Sequence, residues 1–292
     1  MRRVKKIMMS MTGTTTRPEW ERRWLADGIE VGVFSSWTHF PALTHFTTLR
    51  GEAVAGDPFS SFNLGRHSGE ALSRVMQNRN RLCRALSLPA DALVQPRQVH
   101  GTEVLPLLPD FFEHTGEERV AFLSQADGLV TALPGVCVAV STADCVPLLF
   151  YDPCRGVVGA SHAGWRGTVG HIARRTVEVM QRFYGSRPCD ILAAIGPSIG
   201  PEAFQVGDEV VAAFTEAYGA RDIVSSRRDA DGRYHVDLWA ANRADLVAAG
   251  VVPAHIVEAG VCTYERNDLF FSSRRAGGKL FGRFLTGIFR SE

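Results

Sequence analysis

VCVAVSTADCVPLLFYDPCRGVVGASHAGWRG, residues 136–167, is the stretch that decides how the middle of this chain folds. Two apolar runs, 148–151 and 157–160, flank residues 152–156, whose sequence DPCRG is typical of a turn. Apolar runs on both sides of such a turn predict an antiparallel β-hairpin. The hairpin brings together residues on its two strands that are well separated in sequence.

The register of this hairpin is expected to place Cys145 opposite His162. With a two-residue loop, the numbers of paired residues add to 307, and a three-residue loop shifts the pairing by one. Opposed Cβ atoms lie about 4.5–5.5 Å apart. That spacing suits a shared zinc ion, whose bonds are about 2.3 Å to sulfur and about 2.0–2.1 Å to nitrogen. Because Pro147 has no amide hydrogen, the pairing near Cys145 is expected at an edge, an end or a bulge.

A third candidate ligand is His100, which ends a predicted strand beside Gly101. All three candidates adjoin small or turn-forming residues that leave room for a ligand. The alternative for each is a structural role, because a lone buried cysteine usually behaves as a small hydrophobic residue. The spacing alone leaves both interpretations open.

The rest of the chain predicts an α+β fold in a single domain. Helical spacing of apolar residues predicts helices from Ser68 to Pro89, from Thr168 to Gly185, and over 207–218 and 238–249. Strands are expected over 31–37, near Ile256 and over 281–288, with most of 94–195 in short strands. Strands that cluster in sequence favour α+β over a doubly wound fold.

Composition and charge exclude several classes of protein. The 292 residues are 45% hydrophobic and 22% charged, which excludes a disordered or collagen-like chain. Lys and Arg total 32 against 31 Asp and Glu, so a net charge of +1 provides no field for non-specific nucleic-acid binding. Nucleic acid is therefore not an expected partner. The six cysteines are too sparse for a disulfide scaffold, so we expect reduced thiols.

The first residues predict a tail and not a targeting segment. Four basic residues within 2–6 resemble the start of a secretory signal, but only residues 7–9 are apolar in succession, and a signal requires about 7–15. No apolar run comes near the length of a membrane span, about 18 residues. We expect a frayed tail over 1–28, one domain over 29–292, a cytoplasmic location and no membrane partner.

Several conspicuous sequence blocks lie between about Ser61 and Phe284. They are SFNLG at 61–65, QVHG at 98–101, ADG at 126–128, TADCVPLL at 142–149, HAGWRG at 162–167, IGPSIGPEAFQVGDEV at 195–210, CTYE at 262–265 and SSRR at 272–275. Together these blocks resemble the YfiH/laccase-domain family. The resemblance implies a four-layer α/β/β/α sandwich, a purine nucleoside phosphorylase that also deaminates adenosine and cleaves methylthioadenosine, and a zinc ion held by His100, Cys145 and His162. Weak copper binding by the same three residues is also expected, because copper competes well for such ligands.

The motifs also carry candidates for acid–base chemistry and substrate binding. Asp127 and Asp144 are the nearest acid–base candidates, although each is equally compatible with a turn or capping role. Asn63 in SFNLG and Arg274 in SSRR are expected to bind substrate. Arg166, near a predicted helix start, is expected to bind phosphate, and a surface ion pair is its alternative.

Arg79 is expected to contact the substrate because of its place on the first helix. It lies on the apolar face of that helix, three residues after Met76 and three before Leu82. An inward guanidinium requires a carboxylate, backbone carbonyls or a ligand. Burial against an aspartate, or a head group that reaches water, is the alternative.

The chain departs from the family pattern in three places. Glu202, Ala203 and Phe204 stand where many relatives have Cys-Cys-Tyr, and Ser273 stands where SYRR has tyrosine. The usual Thr-Thr-Arg-x-Gly-Gly loop reads TTLRGE at 47–52. Roles of the family's thiols, tyrosine and loop contacts are therefore not transferred.

The leading hypothesis is a zinc-dependent purine nucleoside phosphorylase with adenosine deaminase activity, acting on nucleoside and phosphate as a monomer or homodimer. The first alternative is a cysteine hydrolase, with Cys145 as nucleophile, His162 as base and His100 as orienter, or an amidase that edits peptidoglycan precursors. Copper-dependent polyphenol oxidation is disfavoured, because the nine histidines include no His-x-His pair. A structural zinc with Cys262 as fourth ligand is the non-enzymatic alternative.

Overall fold

Two large β-sheets and seven helices make up the fold in the computed structural model, which describes residues 19–219, 223–225 and 231–291. The strands are β1 (Trp20–Trp24), β2 (Glu30–Phe34), β3 (Leu43–Thr48), β4 (Leu93–Val94), β5 (Val104–Leu107), β6 (Gly128–Thr131), β7 (Cys137–Thr142), β8 (Val146–Asp152), β9 (Val157–Ala163), β10 (Leu192–Ile195), β11 (Gln205–Val206), β12 (Tyr234–His235), β13 (Ile256–Glu258) and β14 (Phe284–Arg290). The helices are α1 (Leu72–Ala85), α2 (Gly116–Phe122), α3 (Trp165–Val169), α4 (Ile172–Tyr184), α5 (Asp208–Tyr218), α6 (Leu238–Ala248) and α7 (Ser273–Ala276).

The strands form two six-stranded sheets. The first sheet has the strand order β1-β2-β3-β14-β7-β4, and the second has the order β13-β10-β8-β9-β6-β5. Strands β11 and β12 pair separately. Consecutive strands β7 and β8 belong to different sheets, so the chain crosses between the sheets at residues 143–145.

Three hydrophobic cores separate four layers. The core between the sheets contains Phe284 from the first sheet and Leu149 from the second. The outer face of the first sheet packs against Leu82 of α1, and the outer face of the second packs against helices α4, α5 and α6, with Met180 of α4 fully buried. The predicted α+β class and α/β/β/α order of layers are confirmed.

The hairpin of β8 and β9 forms as predicted, but its register differs. Pro147 pairs with His162 and Asp152 with Val157, so the loop has four residues. The loop is wide because Asp152 Oδ1 accepts hydrogen bonds from the amides of Cys154 and Arg155. The predicted pairing of Cys145 with His162 is therefore wrong by two positions. A shift of two preserves the face on which each side chain lies, and the expected strand end near Pro147 is confirmed.

Two predicted helix boundaries are also wrong. Ser68 does not cap α1, because its hydroxyl accepts a hydrogen bond from Asn63 in the preceding loop and the helix begins at Leu72. The helix predicted from Thr168 is two helices, α3 and α4, because His171 between them has a left-handed backbone with φ of 62°. The predicted end at Gly185 is confirmed by its left-handed cap.

The predicted tail over 1–28 is wrong for its last part, and residues 1–18 lie outside the described residues. Strand β1 pairs with β2 along its length, and the Trp20 ring packs over Gly32. A Cβ atom at Gly32 would lie 1.9 Å from that ring, so only glycine fits there. Among the described residues, no helix has the length and apolar character needed to cross a bilayer.

Stability is expected to depend on pH through His45 on β3. Its Nε2 atom accepts a 2.8 Å hydrogen bond from the amide of Phe34, and burial lowers the pKa of His45 from 6.5 to about 3. Because the pKa of His45 is lower in the folded than in the unfolded protein, the contribution of neutral His45 to the free energy of unfolding is complete above pH 6.5. It falls as the pH drops below that value. Between pH 7 and pH 5 the loss is about 2 kcal/mol.

Urea unfolding of wild type and His45→Gln at both pH values measures this contribution. Glutamine retains an acceptor but does not titrate, so the variant should lose about 2 kcal/mol of the pH dependence. Equal pH dependence in the two proteins would contradict this role of His45.

Candidate metal centre

His100, Cys145 and His162 come together at the place where the chain crosses between the sheets. Cys145 immediately precedes β8, His162 lies near the end of β9, and His100 lies in the loop between β4 and β5. One donor atom from each residue lies within 4.8 Å of the other two. The two imidazole rings meet edge to face with centroids 4.9 Å apart. The predicted grouping of the three residues is thus what the structure shows.

A buried carboxylate, Asp127, positions both histidines. His162 Nδ1 lies 2.7 Å from Asp127 Oδ1, which leaves Nε2 of that ring for a metal. The same carboxylate accepts hydrogen bonds from the backbone amides of Val99, His100 and Gly101. A carboxylate bound to the second nitrogen of a histidine is the usual support of a metal-ligating imidazole. Asp127 thus acts through the histidines, and its predicted acid–base role stays a prediction.

The charges of the site favour a thiolate. Burial acts to raise the pKa of the Cys145 thiol, but His162 and His100 outweigh burial and lower it to about 6. Burial acts to lower the pKa of His162, but the Cys145 charge and the hydrogen bond to Asp127 raise it to about 9. Burial acts to raise the pKa of Asp127, and the hydrogen bonds from His162 and the amides hold it below its usual value. The thiolate is the form of cysteine that binds metals.

Gly164 keeps the approach to the three ligands open. A Cβ atom at this position would lie 3.0 Å from His100 Cδ2 and 3.2 Å from Cys145 Sγ. One thiolate and two imidazoles form a donor set that zinc and copper both accept. The three residues therefore fit a metal ion with one coordination position left for another ligand.

The centre opens into a cavity of about 470 Å³. The wall combines aromatic and aliphatic side chains with amides and two guanidinium groups. Besides the three ligands, the lining residues are His67, Gln95, Pro96, Gln98, Ser141, Thr142, Ala143, Asp144, Ile199, Phe204, Ser273, Arg274, Gly277, Gly278, Phe281 and Arg283.

Asp144 lines the cavity but already holds three segments of the chain together. Its Oδ1 atom accepts a hydrogen bond from Thr263, and its Oδ2 atom accepts from Ser272 and from the amide of Arg274. These bonds fix the crossing between the sheets, where Asp144 has a left-handed backbone with φ of 87°. A catalytic role of Asp144 stays a prediction, and the contacts describe a positioning role.

The four predicted substrate-binding residues occupy different places. Only Arg274 lines the cavity. Arg79 lies behind the wall, where Nη1 donates to Gln95 Oε1 at 2.8 Å and to a backbone carbonyl. Arg166 lies over the Trp165 ring, outside the cavity lining. Contact of Arg79 or Arg166 with substrate stays a prediction that these positions do not support.

Asn63 is also outside the cavity lining, and its hydrogen-bonding capacity is used within the protein. Its Nδ2 donates to Ser68 and Glu70, and its Oδ1 accepts from the amides of Gly65 and Arg283. A carboxamide has two donors and two acceptor positions, so none remains for substrate. Direct contact of Asn63 with substrate stays a prediction that these bonds do not support, and the bonds themselves describe a supporting role.

Some lining residues carry no strong signal in the sequence. Gln98 lies in the QVHG block, and its amide group exchanges hydrogen bonds with the backbone of Ser141. Phe281 and Arg283 lie within the strand predicted over 281–288, but β14 begins only at Phe284, so alternation along a strand does not indicate that both line the cavity. Cys262 accepts a hydrogen bond from the amide of Gly200 and is not part of the metal-ligating group.

Comparison with known proteins decides the family. The model of the family described as multi-copper polyphenol oxidoreductase laccase matches residues 44–291. The chain belongs to this family. The purine nucleoside phosphorylase of Bacteroides thetaiotaomicron is 38% identical over 255 residues, 87% of this chain and 94% of that protein. Adenosine deaminase RL5 from an unknown prokaryotic organism is 44% identical over 245 residues, 84% of this chain and 93% of that protein.

Solved structures share the fold. The crystal structure of YlmD from Geobacillus stearothermophilus superposes with a TM-score of 0.82 at 35% identity, over 94% of this chain and all of that chain. The hypothetical protein YfiH of Bacillus licheniformis gives a TM-score of 0.79 at 30% identity, over 93% of this chain and 99% of that chain. The resemblance read from the sequence blocks is confirmed.

Substitution of Gly164 by alanine should weaken metal binding without unfolding the protein. The new methyl group would press on His100 and Cys145 and disturb the ligand geometry, so metal affinity should fall at least about tenfold, or about 1.4 kcal/mol. Competition with a chelator measures the affinity. Gly116→Ala is the matched control, because no atom lies within 4 Å of its Cβ position. Equal losses in the two variants would contradict the prediction.

Substitution of Asp127 by asparagine should lower metal affinity by about 10–100-fold, the usual effect of losing a carboxylate behind a ligating histidine. Asparagine retains one oxygen but turns an amide group toward donors. Chelator competition and urea unfolding, measured together, separate metal loss from unfolding. Unchanged affinity in a folded variant would show that Asp127 does not support the ligands.

Proposed function

We propose that this chain is a zinc-dependent purine nucleoside phosphorylase that also deaminates adenosine. The observation that carries the proposal is the three-ligand group, open on one side to a cavity of about 470 Å³. Cavities of about 300–1,000 Å³ are typical of small-molecule sites. The phosphorylase and deaminase names of the relatives supply the substrate class, and the resemblance to the family adds methylthioadenosine as a further substrate.

Different residues around the centre would hold the metal and the nucleoside. His100, Cys145 and His162 would hold the ion, which when bound supplies a Lewis acid that makes water a stronger nucleophile near neutral pH. Phe204 and Phe281 line the cavity and offer apolar surfaces to the purine.

Thr142 offers a polar contact in the same cavity. It is 1% exposed, lines the cavity, and its Oγ1 atom has no hydrogen-bond partner among the described residues. A buried hydroxyl without a partner costs about 1–3 kcal/mol. A hydroxyl or carbonyl of a bound substrate would remove this cost, which supports Thr142 as a substrate contact.

The alternative functions receive less support. A hydrolase with Cys145 as nucleophile needs one histidine as base, and here a second histidine also lies within 4.8 Å of the sulfur. Polyphenol oxidation by several coppers needs several metal sites, and His100, Cys145 and His162 form the one three-ligand group within the described part of the chain. The relatives compared above carry phosphorylase and deaminase names, which do not favour an amidase.

Product analysis tests the proposed function. Metal-loaded protein with adenosine and phosphate should release adenine and ribose 1-phosphate, and without phosphate should form inosine and ammonia. Removal of the metal by chelation should abolish both reactions, and zinc should restore them. Cys145→Ser should bind zinc more weakly and lose both activities. Full activity in zinc-free protein would remove the mechanism, and rapid alkylation of Cys145 in metal-loaded protein would favour the hydrolase.

A further inference from the structure

Two guanidinium groups line the cavity without carboxylate partners. Neither Arg274 nor Arg283 forms an ion pair with a carboxylate among the described residues. Asp144 is the one carboxylate in the cavity lining, and both its oxygens accept hydrogen bonds from the protein. Guanidinium groups that line a concave site and are not paired with a carboxylate attract an anionic ligand.

The two arginines differ in how much of their donor capacity is free. Arg274 donates from both terminal nitrogens to the backbone carbonyls of Ala203 and Gln205. Arg283 makes one such bond, from Nη1 to the carbonyl of His67 at 3.2 Å. A guanidinium has five N–H donors, so Arg283 retains most of them for a ligand.

The SFNLG block fixes the position of Arg283. Asn63 Oδ1 accepts the amide hydrogen of Arg283 at 2.7 Å, and the amide of Leu64 donates to the Arg283 carbonyl at 3.0 Å. The Arg283 stem passes directly over Gly65, where a Cβ atom would lie 2.8 Å from Arg283 Cβ and 3.2 Å from Cγ. The loop thus holds both the backbone and the stem of this arginine in place.

We propose that Arg283, together with the neighbouring His67, binds the phosphate that attacks the nucleoside. The inference rests on the proposed function. Purine and ribose are uncharged near pH 7, whereas phosphate is an oxyanion that a guanidinium recognises through paired hydrogen bonds. Asn63 then contributes to substrate binding through Arg283 and not by contact.

The neighbourhood of Arg283 agrees with this role. Burial acts to lower the pKa of Arg283 while the charge of Cys145 acts to raise it, so the guanidinium lies within electrostatic range of the metal ligands. Burial, with Arg97, Arg66 and Arg283 nearby, lowers the pKa of His67. A neutral imidazole at His67 can donate one hydrogen bond to a phosphate oxygen.

The reaction balances with phosphate as the second substrate. An oxygen of hydrogen phosphate attacks C1′ of the ribose, and the bond between C1′ and N9 of the purine breaks with its electron pair on the base. The proton of the phosphate passes to the base. The products are the free purine and ribose 1-phosphate. Deamination of adenosine uses water instead, so it does not need the phosphate site.

Because phosphorolysis needs the phosphate site and deamination does not, the two activities of one variant can be compared. In metal-loaded Arg283→Met, the KM for phosphate should rise at least tenfold, and the ratio of phosphorolysis to deamination at fixed phosphate should fall at least tenfold. Binding of inorganic phosphate, followed by its effect on the melting temperature, should weaken in parallel. Arg182→Met, which removes an exposed arginine of α4 outside the cavity, is the matched control.

A second variant keeps the charge and moves it. Gly65→Ala retains Arg283 but displaces its stem, so the KM for phosphate should rise several-fold more than the KM for nucleoside, with unchanged metal content. An unchanged phosphate KM in Arg283→Met, or a rise in Arg166→Met instead, would overturn the inference while phosphorolysis itself persists. Phosphate binding that depends on Arg283 in a protein without phosphorolysis would support the anion site and overturn the proposed function alone.

Discussion

The carboxylate of Asp127 is the constraint on which the candidate centre depends. It is fully buried, and it accepts hydrogen bonds from the His162 ring and from three consecutive backbone amides around His100. One group thus fixes the ring of one ligand and the loop that carries another. Loss of this carboxylate would leave four donors without their acceptor, which is costly because the carboxylate is fully buried. The positions of the two histidines are therefore set by the protein's own hydrogen bonds.

The crossing between the sheets completes the site. The two sheets are stacked, and the chain passes from one to the other where β7 ends and β8 begins. The short crossing segment carries both Asp144 and Cys145. Asp144 binds this segment to Thr263 and Ser272. A cavity at such a junction receives residues from both sheets and from later loops, which explains why its wall draws on distant parts of the sequence.

Much of this arrangement was predictable from the sequence, and the failures have physical causes. The hairpin and the shared face of Cys145 and His162 follow from apolar alternation, but the loop length depends on hydrogen bonds that the Asp152 side chain accepts, which no periodicity reveals. Helical spacing correctly predicts that Arg79 faces inward, yet spacing cannot identify the hydrogen-bond acceptors of its guanidinium group. The position of Arg283 depends on contacts with a loop more than 200 residues earlier, and local patterns carry no information about such contacts.

The order of strands in the first sheet has a consequence for synthesis. Strand β14 lies between β3 and β7, although it is the last of the described strands in sequence. During translation the edges of β3 and β7 that pair with β14 remain unpaired until β14 leaves the ribosome. Exposed edges of this kind pair readily with other chains, and contacts of high sequence separation form slowly. Nascent chains of this fold should therefore rely on chaperones more than their size suggests.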